Sequence, residues 1–446
     1  MTVSSDCSAI ERVETTVKRD KEPVQTSRER QDESEKESRS SGVLNVVVSG
    51  LGLFSDGYNA QISECWPSDG HEWYVSLGGW MLIDSRMFWM MIVARGVVGF
   101  GAGGEYPVCA TSATEAADET ANLRKKRGFL VASTTDFAVD LVCRNLFEAH
   151  LGLGVAGVVA LIVLACFHQD IRGGVWRVSF GIVLVIPVGI CFFRLRMIDS
   201  KQYRRHAIKS QYPYWLVLKR YWKPMLGTSL AWFCYDFVTY PFGIFSSTII
   251  EQLSPENTTV QNIGYGTVIN CFYLPGSLLG GLLMDRIGRK QNMTLGFVVW
   301  GIWGSHPIQT VFPLVVVMYG IFMALGEMGP GVSTFLCAAE SFPTPLRGHS
   351  LGLAAAVGKA GASIGTEVFT PIQDSFSSTY KGQQAVFLIG SAFTIVGGLI
   401  AWSLIPGMSR ELETEDAKFK AYLEENGYDI SSYGDSLCVT RNDIIQ

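Results

Sequence analysis

Residues Gly281–Lys290 read G-L-L-M-D-R-I-G-R-K and directly follow an apolar run that begins near residue 263. Glycines let two helices approach closely in lipid. The Asp-Arg pair and the second basic cluster stand where the apolar run ends, and Lys and Arg are concentrated in the loops on the cytoplasmic side of a membrane. The stretch therefore predicts a membrane-spanning helix that ends here, followed by a cytoplasmic loop.

The composition supports a membrane protein. The chain has 446 residues, of which 48% are hydrophobic and only 17% charged, with 47 Gly and 25 Phe. Apolar segments recur at the length that a bilayer requires, and we place them at 42–62, 87–115, 128–147 running into 151–168, 174–194, 225–250, 263–284, 293–304 with 311–335, 349–372 and 384–405. This pattern predicts an all-α, polytopic protein in the lipid bilayer. It does not predict nucleic-acid binding, since no basic face is interleaved with stacking aromatics.

Charged segments divide the chain into domains. Residues 1–41 are Ser-rich and charged and predict a disordered cytoplasmic tail. The segment 194–224 is rich in Lys and Arg and predicts a cytoplasmic loop. This loop separates an N-terminal transmembrane bundle, 42–193, from a C-terminal bundle, 225–405. Residues 406–446 are again polar and predict a second cytoplasmic tail, with a short helix near its start.

Two Asn-x-Thr sequons follow from this orientation. Asn257-Thr258-Thr259 lies in the loop between 250 and 263, which the orientation places outside the cell, so we predict that Asn257 is glycosylated. Asn292-Met293-Thr294 falls on the cytoplasmic side, so we predict that it stays unmodified.

The pattern G-x-x-x-D-R-x-G-R-K at Gly281–Lys290 resembles the loop signature of the major facilitator superfamily of secondary transporters. The resemblance implies two bundles of six helices and an earlier copy of the loop after the second helix. That copy is missing, because Ser63 is followed by E-C-W-P-S-D-G-H-E and Phe88–Pro107 already resembles the family's fourth helix. We therefore expect a first bundle that lacks a helix pair, as in an unusual transporter or, on the plainer interpretation, because exon sequence is missing or retained or the gene has decayed. The segment 293–304 also looks too short to span a bilayer alone.

Ionisable residues inside apolar segments mark the candidate site, because a charge in the membrane needs a partner or a task. Trp232, Asp236 and Tyr240 are spaced four residues apart and share one helix face. An ionised carboxylate only accepts hydrogen bonds, so an anion can bind beside Asp236 only when that carboxyl carries a proton. This arrangement would couple proton entry to anion entry. The alternative is an aromatic packing stripe whose single Asp bonds to a neighbouring helix.

Two further segments carry charge into the membrane. Glu105 and Tyr106 follow a glycine-rich run and precede a helix-breaking Pro. Lys359 lies two to three turns into its helix, a depth at which it can be the counter-charge for a phosphate. The alternative for Lys359 is a gate salt bridge with Glu327 or Glu340.

A second charged group lies at the membrane face and not inside it. Ion pairs there can hold one conformational state closed. We therefore interpret these residues as an inward gate and not as substrate ligands: Asp285, Arg286, Arg289, Glu340 and Arg347.

The runs G-G-E-Y-P and W-x3-D-x3-Y resemble the proton-coupled phosphate symporters of fungi and plants, which usually carry Asp in place of Glu105. Gly331 stands where those symporters have a phosphate-contacting Asn. With S-D-G-Y-N at 55–59, the pattern is closer to the fungal glycerophosphodiester permeases. The resemblance implies a proton-coupled importer of glycerophosphodiesters such as glycerophosphoinositol in the plasma membrane. It implies substrate contacts at Tyr106, Trp232, Asp236, Tyr240 and Lys359, and proton coupling at Asp56, Glu105 and Asp236.

Two alternatives stay open. One is an inorganic phosphate:proton symporter, against which Gly331 argues because it removes an amide donor and opens space. The other is an inactive or receptor-like remnant of a transporter, which the missing helix pair favours. An enzyme is not expected, because the sequence shows no nucleophile elbow and no phosphate-cradling loop after a strand. The ten Cys form no CxxC pair, so we expect neither zinc nor another cofactor.

Overall fold

The computed structural model of the protein describes residues 145–168, 213–307, 311–407 and 412–428, together with positions 93, 96, 97, 99, 103, 178, 179, 181 and 182. Within these residues every regular element is a helix, as the all-α prediction requires. The elements belong to one compact unit, Ser41–Gln446.

The described helices are α1 (Asn145–Cys166), α2 (Tyr214–Ile244), α3 (Ser246–Leu253), α4 (Thr259–Cys271), α5 (Tyr273–Ile287), α6 (Arg289–Gly304), α7 (Phe312–Gly326), a π-helical turn (Glu327–Gly331), α8 (Val332–Glu340), α9 (Thr344–Asp374), α10 (Thr379–Leu404) and α11 (Leu412–Glu425). From α2 onward, the described helices follow one another with short connections. Helices α4 and α5 form one passage, and so do α7 and α8 with the π-helical turn between them; both passages and α10 are long and apolar enough to cross a membrane. The six apolar segments predicted for the C-terminal bundle therefore appear as α2–α3, α4–α5, α6, α7–α8, α9 and α10.

Helix α6 corrects the bounds of one predicted segment. The sequence suggested 293–304, but α6 begins at Arg289 and has 16 residues. At about 1.5 Å per residue this is about 24 Å, still below the roughly 30 Å of a bilayer core, so the expectation that this segment is too short to span alone is not overturned. Gly288 makes the early start possible, because its φ of 100° turns the chain sharply out of α5. The basic residues assigned to the loop are thus the first turn of the next helix.

Helix α2 is the centre of the described bundle and packs against α9 and α10. The contact between α2 and α9 is close because α9 carries glycines: a Cβ on Gly361 would lie 2.5 Å from the Phe233 carbonyl oxygen of α2. The contact between α2 and α10 contains stacked rings, with the centroids of Phe237 and Phe393 4.0 Å apart. Large apolar side chains such as Leu399 and Trp402 are exposed on the other side of α10, as expected of a surface that faces lipid.

The predicted helix in the C-terminal tail is confirmed as α11. Phe419 and Leu423 are buried against the start of α2 and the Phe342–Leu346 segment. The Asp416 carboxylate accepts hydrogen bonds from the Thr344 backbone N–H at 2.6 Å and from its hydroxyl at 2.7 Å. Asp416 therefore caps the first turn of α9 from a different helix.

Helix α2 begins at Tyr214, inside the range assigned to the cytoplasmic loop. Its first turns, before the predicted spanning segment, carry the contacts with α11. The Tyr221 hydroxyl donates to Glu415 at 2.8 Å. Burial, and then this hydrogen bond, raise the pKa of the Tyr221 phenol, so that it stays a neutral donor.

Candidate functional site

Three of the predicted substrate residues meet between α2 and α9. The Lys359 Nζ lies 3.2 Å from Asp236 Oδ2 and donates a hydrogen bond to the Tyr240 hydroxyl. It also lies 4.1 Å from the centre of the Tyr240 ring. The Asp236 side chain is 2% exposed and the Lys359 side chain 33%. Lys359 is thus the accessible end of an ion pair whose carboxylate is buried.

The helix spacing explains why this pair forms. Asp236 and Tyr240 are one turn apart on α2, so that both face the same side chain of α9. Gly358, beside Lys359, lies against the Trp232 ring, where a Cβ would be 2.5 Å from the nearest ring carbon. With larger residues at this position and at Gly361, the two helices would separate and the ion pair would lengthen.

Trp232 has a different environment from the other two residues on its face. It is buried and packs on Phe335 of α8, with ring centroids 4.6 Å apart. It therefore forms part of the α2–α8–α9 packing, and Asp236 bonds to a neighbouring helix. Both features support the interpretation of this stripe as packing, while the partly exposed Lys359 supports its interpretation as a binding site. Contact between Trp232 and a substrate stays a prediction.

A buried carboxylate near this pair was not predicted to belong to the site. The Tyr235 hydroxyl donates to Glu327 Oε2 at 2.7 Å, and both residues are buried. A Cβ on Gly331 would lie 2.6 Å from Glu327 Cδ and 2.9 Å from the Tyr235 hydroxyl. The expectation that Gly331 opens space in the site is therefore wrong, because the Glu327 carboxyl fills that space. The signal in the sequence is the four-residue spacing of Glu327 and Gly331.

The alternative partners suggested for Lys359 bind elsewhere. Glu327 accepts a hydrogen bond from Tyr235, and Glu340 is paired with Arg289. The cation and its acid, Asp236, were each chosen from the sequence, but their pairing was not predicted.

The structure brings most of the predicted gate together where α5, α6 and α8 meet. Arg289 lies 3.0 Å from Glu340 and 3.4 Å from Asp285. Arg347 is buried nearby and donates to the Ala339 carbonyl at 3.0 Å. Arg286 is exposed and does not take part in this cluster.

The remaining predicted residues have other positions. Asp56, Glu105 and Tyr106 lie outside the described residues. Asn257 is half-buried just before α4, and its Oδ1 accepts a hydrogen bond from Ser254 at 3.2 Å. Its glycosylation stays a prediction. In the described part of the chain, no group of His, Cys, Asp and Glu side chains is arranged to hold a metal ion.

Asn292 is buried, and the nitrogen of its side-chain amide is hydrogen-bonded inside the bundle. The Nδ2 group donates to the Met328 carbonyl at 3.0 Å and to the Ser333 hydroxyl at 2.9 Å. A glycan on this nitrogen has no room in the folded protein. The prediction that Asn292 is not glycosylated therefore has a second basis, its burial, besides its predicted position on the cytoplasmic side of the membrane.

Comparison with known proteins gives two family matches. The description "Major Facilitator Superfamily" matches residues 228–432, and "Sugar (and other) transporter" matches residues 73–212. Glycerophosphoinositol permease 1 of Candida albicans is 37% identical over 77% of this chain and 64% of its own length. Glycerophosphocholine permease GIT4 of the same organism is 34% identical over 82% of this chain and 69% of its own length. The chain thus spans about two thirds of the length of these relatives.

Solved structures show the same architecture. The proton:xylose symporter XylE bound to 6-bromo-6-deoxy-D-glucose superposes with a TM-score of 0.59, covering 86% of this chain and 90% of that one. The two sequences are only 14% identical, so this likeness shows the fold alone.

Proposed function

We propose a function for the chain on the basis that it belongs to the major facilitator superfamily, a family of multi-pass membrane transporters and not of enzymes. The proposed function is proton-driven import of glycerophosphodiesters, such as glycerophosphoinositol, across the plasma membrane. The relatives named for glycerophosphoinositol and glycerophosphocholine support the substrate class. The single observation that carries the proposal is Lys359, a partly exposed cation paired with a buried acid inside an apolar bundle.

The phosphate of the diester would bind at Lys359. A charge-assisted hydrogen bond between an ammonium group and a phosphate oxygen is about twice as strong as a neutral one. The Tyr240 hydroxyl accepts a hydrogen bond from Lys359, and its own O–H would donate to a second phosphate oxygen. These two groups recognise the phosphate common to all glycerophosphodiesters and do not select the alcohol.

Proton coupling would follow from the competition for Lys359. While Asp236 is ionised, it neutralises the Lys359 ammonium. A proton on Asp236 removes that charge and frees the ammonium for the substrate anion, so that proton and anion bind together. When both leave on the inner side, the pair forms again. The two bundles would rock about this central site, with the Arg289–Glu340 pair closing the inner end in one state.

The substitution Asp236→Asn tests this coupling, because a neutral amide imitates the protonated carboxyl. We expect glycerophosphoinositol to bind and to exchange across the membrane, because the amide leaves Lys359 free for the phosphate. Accumulation driven by a pH gradient should be lost. The measurement is uptake of labelled glycerophosphoinositol with and without an imposed gradient, compared with exchange of labelled for unlabelled substrate.

Glu367→Gln is the matched control. Glu367 is exposed on α9, the helix that carries Lys359, so this variant removes a carboxylate without touching the ion pair. It should accumulate substrate like the unchanged chain. Gradient-dependent accumulation that survives in Asp236→Asn would remove Asp236 from the coupling mechanism.

A further inference from the structure

A cluster of uncharged polar side chains lies between α3 and α4, outside the residues discussed so far. Ser246 and Ser247 begin α3, and both hydroxyls face Gly266 of α4. A Cβ on Gly266 would lie 2.5 Å from Ser247 Oγ and 3.2 Å from Ser246 Oγ. Asn262 and Asn270 precede and follow Gly266 by one turn, so they lie on the same face of α4. We call these two serines and two asparagines the Ser/Asn cluster.

The polar atoms of this cluster are buried, and several are unbonded. All four residues are buried. In the described part of the chain, Ser246 Oγ, Ser247 Oγ and Asn262 Oδ1 have no hydrogen-bond partner. The large majority of buried polar side-chain atoms in proteins are bonded. A concentration of unbonded groups at one helix contact therefore points to a ligand that supplies the missing bonds.

Two other buried serines in the bundle bond to their own helix. Ser277 donates to the Leu274 carbonyl at 3.0 Å, and Ser391 donates to the Phe387 carbonyl at 2.8 Å. These two serines show how a hydroxyl in a helix of this bundle can be satisfied by its own backbone. Ser246 and Ser247 differ because they begin a helix, next to the break at Phe245.

The cluster follows the ion-pair residue Tyr240 along the chain. Ser247 follows Tyr240 by seven residues, and the break at Phe245 lies between them. Gly243 lies between them, and a Cβ there would be 3.2 Å from the Tyr273 hydroxyl. Polar groups therefore continue from the ion pair to the cluster.

The chemistry of the cluster suits an alcohol and not an anion. Serine hydroxyls and asparagine amides both donate and accept hydrogen bonds and carry no charge. Sugar alcohols present the same mixture of donors and acceptors. A phosphate would need a positive charge, which the cluster lacks and Lys359 of α9 provides.

We propose that the Ser/Asn cluster binds the hydroxyl groups of the substrate's alcohol, such as inositol or glycerol, while Lys359 binds the phosphate. This inference rests on the proposed function and adds the part of the site that selects the alcohol. A ligand without hydroxyl groups leaves the buried polar groups unpaired, which is a strong basis for discrimination.

The test compares two ligands that share a phosphodiester and differ in hydroxyl groups. Glycerophosphoinositol and dimethyl phosphate are titrated against the purified full-length chain in lipid nanodiscs. The variants are Ser246→Ala, Ser247→Ala and the double variant. We expect affinity for glycerophosphoinositol to fall about ten-fold in the double variant, since each lost hydrogen bond costs a few-fold. Affinity for dimethyl phosphate should stay unchanged, which also shows that the variant is folded.

Ser391→Ala is the control for removal of a buried hydroxyl, and it should alter neither affinity. If the double variant binds both ligands like the unchanged chain, the cluster does not bind the alcohol, while the proposed function stands. Equal loss of both ligands also contradicts the proposal. If the unchanged chain binds neither ligand, the proposed function is contradicted, and the inference that rests on it is contradicted as well.

Discussion

Gly331 and Glu327 form a contact in which the absence of one side chain leaves room for another. The Glu327 carboxyl lies where a Cβ of residue 331 would be, and Tyr235 fixes it by a hydrogen bond of 2.7 Å. The carboxyl is thus part of the packing between α2 and the π-helical turn. The side chain at position 331 therefore decides whether this carboxyl has a place.

The substitution Gly331→Asn should lower stability because the new side chain displaces Glu327. Overpacking of this kind costs about 1–3 kcal/mol of unfolding free energy. The cost should shrink when Glu327→Ala is present in the same chain, since the space is then empty. Thermal unfolding of the four proteins in this double-mutant cycle measures the coupling.

Gly348→Asn is the matched control on α9, where a Cβ would meet no atom within 4 Å. It should cost much less than Gly331→Asn. Equal costs at the two glycines, or costs that simply add in the double variant, would show that Gly331 and Glu327 do not compete for space.

The residues of the site could be predicted one by one, and their partners could not. Asp236 and Lys359 are identifiable from the sequence because each is a charge inside an apolar segment. Their pairing depends on how α2 and α9 pack, which the sequence does not give. The Ser/Asn cluster was missed for a related reason: serine and asparagine are common in helices, and only the burial of unbonded oxygens on Ser246, Ser247 and Asn262 makes the cluster unusual.

At the scale of elements, the π-helical turn between α7 and α8 depends on a neighbouring helix. Pro330 lacks an N–H, and the turn is wider than an α-helical turn. The Asn292 amide of α6 donates to the carbonyls of Met328 and Gly329 at 3.0 and 3.4 Å. The backbones can meet because Gly296 and Gly329 are in contact. Asn292 thus holds the turn that positions Glu327 and Gly331.

Asn292→Ala should destabilise the protein because it leaves these buried carbonyls without a donor. The expected cost is about 1–3 kcal/mol, seen as a lower melting temperature of the purified chain. Gln291→Ala, at the exposed neighbouring position, is the control and should change little. If both variants melt like the unchanged chain, the amide does not hold the turn.

The helices could be predicted because an apolar segment of sufficient length indicates a membrane-spanning helix. The interruptions within those helices could not be predicted from the sequence. Every apolar segment predicted within 225–405 corresponds to a helix or a pair of helices. The break at Phe245, the junction at Phe272 and the π-helical turn depend on contacts with other helices. The start of α6 was misplaced because charged residues at a helix terminus look like a loop in the sequence.

At the scale of the whole molecule, the C-terminal bundle and α11 are described almost completely. The tail helix is fixed to the start of α9 by Asp416 and to α2 by Tyr221. The predicted N-terminal bundle lies mostly outside the described residues, so the expected lack of a helix pair stays a prediction. The substrate contacts inferred here belong to the half of the site that α2, α3, α4 and α9 provide.

Uptake of labelled glycerophosphoinositol tests the central claim most directly. The full chain is produced in a yeast strain without its own glycerophosphodiester permeases, and its amount at the plasma membrane is measured in parallel. We predict saturable uptake that increases as the external pH falls and stops when a protonophore collapses the gradient. Lys359→Gln should abolish uptake, while Lys381→Gln, at an exposed position on α10, should not. Absence of uptake above background, with the chain present at the plasma membrane, would contradict the account and favour a receptor or an inactive remnant.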